Sequence, residues 1–215
     1  MGQKLAVLCG VLAMASLSSA RADVIFNFDA IPQNTFTEFS DTQGGITATF
    51  SSPNDPGGAV VFNADGSFAP PIAGNALLNA SGGGLPAIFV SFDTPLSNAS
   101  LDFAEGETLT GGFTLQAFSG GANGTFVGAS QAFGTTPEGF SSPQGFISFS
   151  SLTPFDTLRL NADDTPLFLI DNVNVTAASG EPAPVPEPGT MALMGVGLAS
   201  LVAARRRRKK EASKA

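Results

Sequence analysis

The side chains in this chain that could do chemistry are carboxylates, with almost nothing beside them. There is no histidine, and the single cysteine is Cys9. A Ser-His-Asp triad, a thiolate nucleophile within the body, a disulfide framework and a His/Cys zinc or copper site are therefore all excluded. What remains is oxygen chemistry: carboxylates acting as an acid and base pair, or as ligands of a hard cation. Glu105 and Glu107 are the nearest approach to a catalytic pair, but they share one face of an extended, Gly-rich stretch. A glycosidase would need one of two carboxyls held protonated and the two set about 5 to 9.5 Å apart across a cleft. The expectation is accordingly a protein that is not an enzyme.

The charges are segregated. Of the ten cations only Arg159 falls between Asp23 and Glu187, and of the eighteen acids only Glu211 lies outside that stretch. This middle part thus carries seventeen acids against one base, a net charge of −16. Binding to nucleic acid or to an anionic lipid surface is excluded, because phosphate contacts require cations that it lacks.

The most specific pattern is Val185-Pro186-Glu187-Pro188, followed by the uncharged run from Met191 to Ala204 and then Arg205, Arg206, Arg207, Arg208, Lys209 and Lys210. Each proline fixes φ and moves its predecessor out of the α region, so the first part is a preformed extended segment. As a helix the apolar run would be about 21 Å long against a hydrocarbon core of about 30 Å, which is short for a permanent span. The Arg cluster holds its own side in the cytoplasm by the positive-inside rule, and its long stems can snorkel to supply missing length. These residues resemble the PEP-CTERM sorting signal. The resemblance implies recognition by a membrane-embedded exosortase, cleavage at the Pro-Glu-Pro motif, transient residence in the inner membrane of a Gram-negative bacterium, and release or transfer to the cell surface or extracellular polymer matrix.

The other end agrees. Lys4 supplies a short positive region, Leu5 to Leu17 an apolar one, and Ala20-Arg21-Ala22 an A-x-A cleavage site, so residues 1–22 read as a secretory signal peptide. Leu8 stands before Cys9 where a lipobox needs a small residue, which argues against lipid anchoring. Residues 179–190 form a Pro-rich linker bearing the sorting motif, 191–204 a short transmembrane helix and 205–215 a basic cytoplasmic tail.

Between these ends, residues 23–178 are the one domain that must position everything else. Val24 to Phe28 and Ile46 to Phe50 alternate apolar and polar residues, as half-buried strands do. Ala59 to Asn63 is a further short strand, and seven more are expected at Ala87–Phe92, Ala99–Phe103, Gly112–Phe118, Gly124–Ala129, Gly145–Ser150, Asp156–Asn161 and Leu167–Val175. Residues 29–45 read as turn chemistry and 64–86 as a long loop. No body window sustains a helical period, so helices are confined to the signal peptide and the C-terminal span. Short strands with Gly/Pro turns predict an all-β fold, an antiparallel β-sandwich of jelly-roll type.

Nineteen Phe with no Tyr and no Trp are expected to fill its core rather than stack on sugars, since sugar platforms profit from the polar rim of Tyr or Trp. In a sandwich resembling carbohydrate-binding modules the first and last strands pair, and a structural Ca²⁺ often lies there. On that resemblance Asp29 and Asp171 are calcium candidates. Read on their own, Asp29 caps a turn, Asp171 is an edge-strand carboxylate facing water, and Asp163 with Asp164 makes a plain turn. The function expected is that of an exported, acidic surface or matrix protein, with extracellular polysaccharide as a partner. The alternatives are a secreted carbohydrate-binding module and, after it, a secreted glycoside-active enzyme, which would need a convergent carboxylate pair.

Overall fold

The computed structural model describes residues 23–53, 58–80, 87–106, 112–163 and 167–178, and among these there are strands and turns but no helix. The strands are β1 (Val24–Phe26), β2 (Phe39–Gln43), β3 (Ile46–Ser51), β4 (Ala59–Asn63), β5 (Asn75–Ala80), β6 (Ile88–Glu105), β7 (Phe113–Ser119), β8 (Thr125–Ala132), β9 (Gln144–Ala162) and β10 (Leu167–Ala177). Every pairing is antiparallel. The expected signal peptide with Ala20 and Ala22, the sorting motif, the expected C-terminal helix and the Arg cluster lie outside the described residues.

Two long strands organise the sandwich. The first half of β6 pairs with β3, and its second half with β10. β9 follows it throughout, with register shifts between Ser91 and Asn98 that mark a bend. One layer therefore runs β4, β5, β10, second half of β6, first half of β9, with β1 also on β10; the other runs β2, β3, first half of β6, second half of β9, β7, β8. Strands that change layers at bends are a known way to turn the corner of a sandwich.

Pleating explains what the layers bury. In β3, Ile46, Ala48 and Phe50 point inward while Thr47, Thr49 and Ser51 point out. Phe supplies the largest side chains of the core that results: Phe103 of one layer stacks on Phe113 of the other at 4.5 Å between ring centres, and Phe28 meets Phe50 edge-on at 5.2 Å. All four rings are fully buried. The expectation that Phe fills the core is met at these positions.

Three expectations need correction. Residues 39–43 are a strand, not turn chemistry: β2 and β3 are joined by Gly44 and Gly45, whose φ of 55° and 83° give the two left-handed positions a tight hairpin requires. Asn75–Ala80 is likewise a strand within the expected loop, paired on both sides with β4 and β10. And four of the expected strands are halves of two, β6 and β9, because the polar breaks at 93–98 and 151–154 bend those strands without ending them.

Candidate functional site

On the outer face of the first layer the pleat sets three residues in a row across β10, β6 and β9: Asp171 opposite Asp102, and Asp102 opposite Phe146. The next row is Leu169, Ala104 and Gln144. Over part of this face folds the segment from Ala64 to Gly74, whose Phe68 and Ile72 join Ala76, Leu78, Ala104 and Leu169 in a small apolar cluster outside the main core. A segment without regular pairing must find partners for its backbone elsewhere. Here turns within the segment and side chains supply them.

Asp65 Oδ1 accepts the Gly74 N–H at 2.6 Å, Asp29 Oδ1 the Asn75 N–H at 2.9 Å, and Gln144 Oε1 the Ala69 N–H at 3.0 Å. Asp171 Oδ2 accepts from Ala73 at 3.4 Å and its Oδ1 from Asn172 at 2.7 Å. Asn172 has a φ of 50° and sits in a bulge of β10, which turns its amide to donate both to the Pro71 carbonyl at 3.2 Å and to Asp102 Oδ2 at 3.0 Å. Gly74 has no room for a side chain, since a Cβ there would collide with Asp29 Oδ1.

Closing the segment over Asp171 leaves it 2% exposed. Burial pushes its carboxyl up to about 6; the N–H bonds from Asn172 and Ala73 oppose the rise, and the charges of Asp29 and Asp102 add to it. Burial also raises Asp102, against the hydrogen bond from Asn172. Asp29 and Asp171, the two calcium candidates, are thus brought close enough to interact, and β1 and β10 do pair. Asp171 is not an edge carboxylate facing water, however: its part of β10 lies between β5 and β6. Among the described residues no group of three or more His, Cys, Asp or Glu side chains is arranged to hold a metal ion.

Beside the covering segment opens a cleft of about 320 Å³, walled by Pro70, Pro71 and Pro137 and lined by Asp102, Gln144 and Phe146. Phe146 is 60% exposed. Gln144 is only 9% exposed, and while its Oε1 is occupied, its buried Nε2 has no partner. An unmade hydrogen bond of that kind costs about 1 to 3 kcal/mol. A larger hollow of about 460 Å³ lies where the domain's two ends meet, lined by Asp23, Gln43, Gly44, Gly45, Thr94 and Ala177 among others.

Elsewhere, Glu105 is buried at the end of β6 and Glu107 lies outside the described residues. Asp163 does more than make a turn. It accepts from Thr114 of β7 at 3.1 Å, Gln131 of β8 at 2.6 Å and Asn161 of β9 at 3.2 Å, joining three strands. Asp102, Gln144, Phe146 and Asn172 were not singled out by sequence. The alternation of Leu101-Asp102-Phe103 does place Asp102 on an outer face, but nothing local tells which outer face a distant segment will cover.

Residues 184–208 match the PEP-CTERM protein-sorting motif. Among curated proteins no relative matches the chain. Of solved structures, the K2 cleaved adhesin domain of Lys-gingipain is similar over 73% of this chain and 99% of its own, at 11% identity and a TM-score of 0.50. A family 29 carbohydrate-binding module mutant in complex with mannohexaose covers 74% of this chain and 93% of its own, with 13% identity and a TM-score of 0.38. The family 11 module of Clostridium thermocellum in complex with a mixed-linked tetrasaccharide covers 74% and 98%, with 10% identity and a TM-score of 0.35. The adhesin domain shows a shared β-sandwich fold; the other two superpose too loosely to carry an argument.

Proposed function

We propose that this chain is a non-enzymatic β-sandwich protein held briefly in the inner membrane of a Gram-negative bacterium by its C-terminal segment. An exosortase then processes it at Val185-Pro186-Glu187-Pro188, and the acidic body goes to the cell surface or extracellular polysaccharide matrix. The observation that carries the reading is the PEP-CTERM motif at residues 184–208, which implies an exported protein. Two further features support the rest. The chain has no His, and its only Cys is in the N-terminal apolar run. Asp102 and Asp171 are cross-strand neighbours, but the covering segment buries Asp171, so only Asp102 lines the cleft and the two do not face a substrate together.

The test is fractionation of the producing strain with and without its exosortase. With the enzyme, the body should be found outside the inner membrane at a mass lacking both ends; without it, the chain should accumulate in the inner membrane with its C-terminus intact. An unchanged extracellular mass without the exosortase would contradict the sorting route. Reducing-sugar release from the strain's own polysaccharide should stay at background, and release abolished by Asp102→Asn would make the body an enzyme.

A further inference from the structure

We propose that the cleft beside the Pro70-Pro71 turn is a binding site for a neutral saccharide, with Phe146 as stacking face and Asp102 as acceptor of sugar hydroxyls. The inference deepens the matrix reading and rests on it. Phe146 is the starting point. The pleat that turns Ile147 into the core turns Phe146 out, beside its cross-strand partner Asp102, and leaves its ring 60% exposed in a concave surface. An aromatic face offers its area at low entropic cost to an apolar ligand face.

The polar groups then restrict what that ligand is. Asp102 Oδ2 takes the Asn172 amide, while Oδ1 accepts nothing among the described residues. Gln144 at the cleft wall keeps its Nε2 buried, so the open polar group is Asp102 Oδ1. A ligand that fits must present a hydroxyl donor to Asp102 together with a C–H face for the ring. Sugars combine these. A simple cation would satisfy Asp102 but has no C–H face to lay on Phe146. An anion would be repelled by Asp102 and would approach a body of strongly negative charge. An extended peptide finds no ladder here, since Pro70, Pro71 and Pro137 have no N–H to give. The volume of about 320 Å³ is at the low end for small-ligand sites, room for roughly one or two sugar rings.

The experiment is affinity electrophoresis of the full chain, kept soluble in lauryldimethylamine oxide because glycosidic detergents would compete. Gels contain hydroxyethylcellulose, glucomannan, xylan or, as the anionic comparison, alginate. Retardation is expected in at least one neutral gel. It should weaken by about tenfold or more in Phe146→Ala and in Asp102→Asn, survive in Phe146→Trp, and be unchanged in Phe126→Ala, which removes an exposed ring on β8 outside the cleft. No retardation in any neutral gel, retardation in alginate alone, or equal retardation of wild type and Phe146→Ala would overturn the assignment. Normal processing and release of a chain that no glycan retards would overturn this site alone; failure of processing would bear on the sorting route alone.

Discussion

Asp171 is a carboxyl at 2% exposure with Asp102 beside it and Asp29 near, so folding sets its proton affinity against that of the unfolded chain. Its folded value of about 6 lies above the ordinary 3.8. Between those two pH values the folded protein binds the proton and the unfolded chain does not, so stability falls as pH rises from about 4 to about 6 and stays lower above. The loss attached to this one group is on the order of 2 to 3 kcal/mol. Asp171→Asn keeps an acceptor for the Asn172 N–H and removes the titration. The mutant should therefore lose that part of the decline in Tm between pH 4 and pH 7, and a wild-type minus mutant difference that does not change with pH would contradict the account. Asp93 and Asp156 act in the opposite sense. Their carboxyls are held low, Asp93 chiefly by the Thr47 N–H and Asp156, against burial, by the N–H groups of Gly120 and Gly121, so their stabilisation is lost as pH falls below the usual carboxylate range.

The same residue bears on calcium. If Asp29 and Asp171 hold the ion, stability should rise by RT ln(1 + [Ca²⁺]/Kd), about 2.7 kcal/mol at a hundredfold excess over Kd. A body of strongly negative charge is also steadied by any divalent cation, so the informative measurement is Tm in Ca²⁺ against Mg²⁺ at matched ionic strength. A preference for Ca²⁺ that Asp171→Asn abolishes is expected of a site; equal shifts with both ions would leave these as carboxylates that hold backbone. Sequence placed both residues near paired first and last strands. It missed that Asp171 would be buried, because the segment closing over it comes from residues 64–74, about a hundred positions earlier.

At the scale of strands, the fold depends on rings that meet across the two layers. Phe113 stacks on Phe103 at 4.5 Å and touches Phe168 edge-on at 5.4 Å, with no exposure for any of the three beyond 1%. Phe113→Ala leaves a cavity among them and should cost about 3 to 5 kcal/mol, read as a fall in the denaturant midpoint. Leu152, at the bend of β9, is wholly exposed, and Leu152→Ala should stay within about 0.5 kcal/mol. A large loss at Leu152, or a small one at Phe113, would mean the layers are packed otherwise. Most strands were readable because one parity is apolar along each. β2 was hidden: Phe39-Ser-Asp-Thr-Gln has one apolar residue, and its place is set by hydroxyl pairs across the hairpin, Ser40 to Thr49 at 2.8 Å and Thr42 to Thr47 at 3.1 Å. The Gly44-Gly45 pair was the available sign of it. The two long strands were read as four because Asp93, Pro95 and Pro154 look like terminators, whereas a bent strand shared by two layers tolerates them.

For the whole molecule the charge map separates the tasks. Every cation but Arg159 belongs to the terminal segments, where on the proposed route charge sets topology. Arg159 itself lies over the Phe89 ring at 6.0 Å, and its Nε has no hydrogen-bond partner. On the proposed route the acidic body leaves the membrane once the C-terminal segment is removed, since nothing in its charge would hold it on anionic lipid. Release on the proposed route depends on one peptide segment, Pro186-Glu187-Pro188. The direct measurement is the intact mass of the exported protein from cells making the wild type and Glu187→Ala. Wild type should begin near Asp23, end near the Pro-Glu-Pro motif and leave the membrane, while Glu187→Ala should remain in the inner membrane with residues 189–215 attached; an identical released mass for both chains would contradict the account.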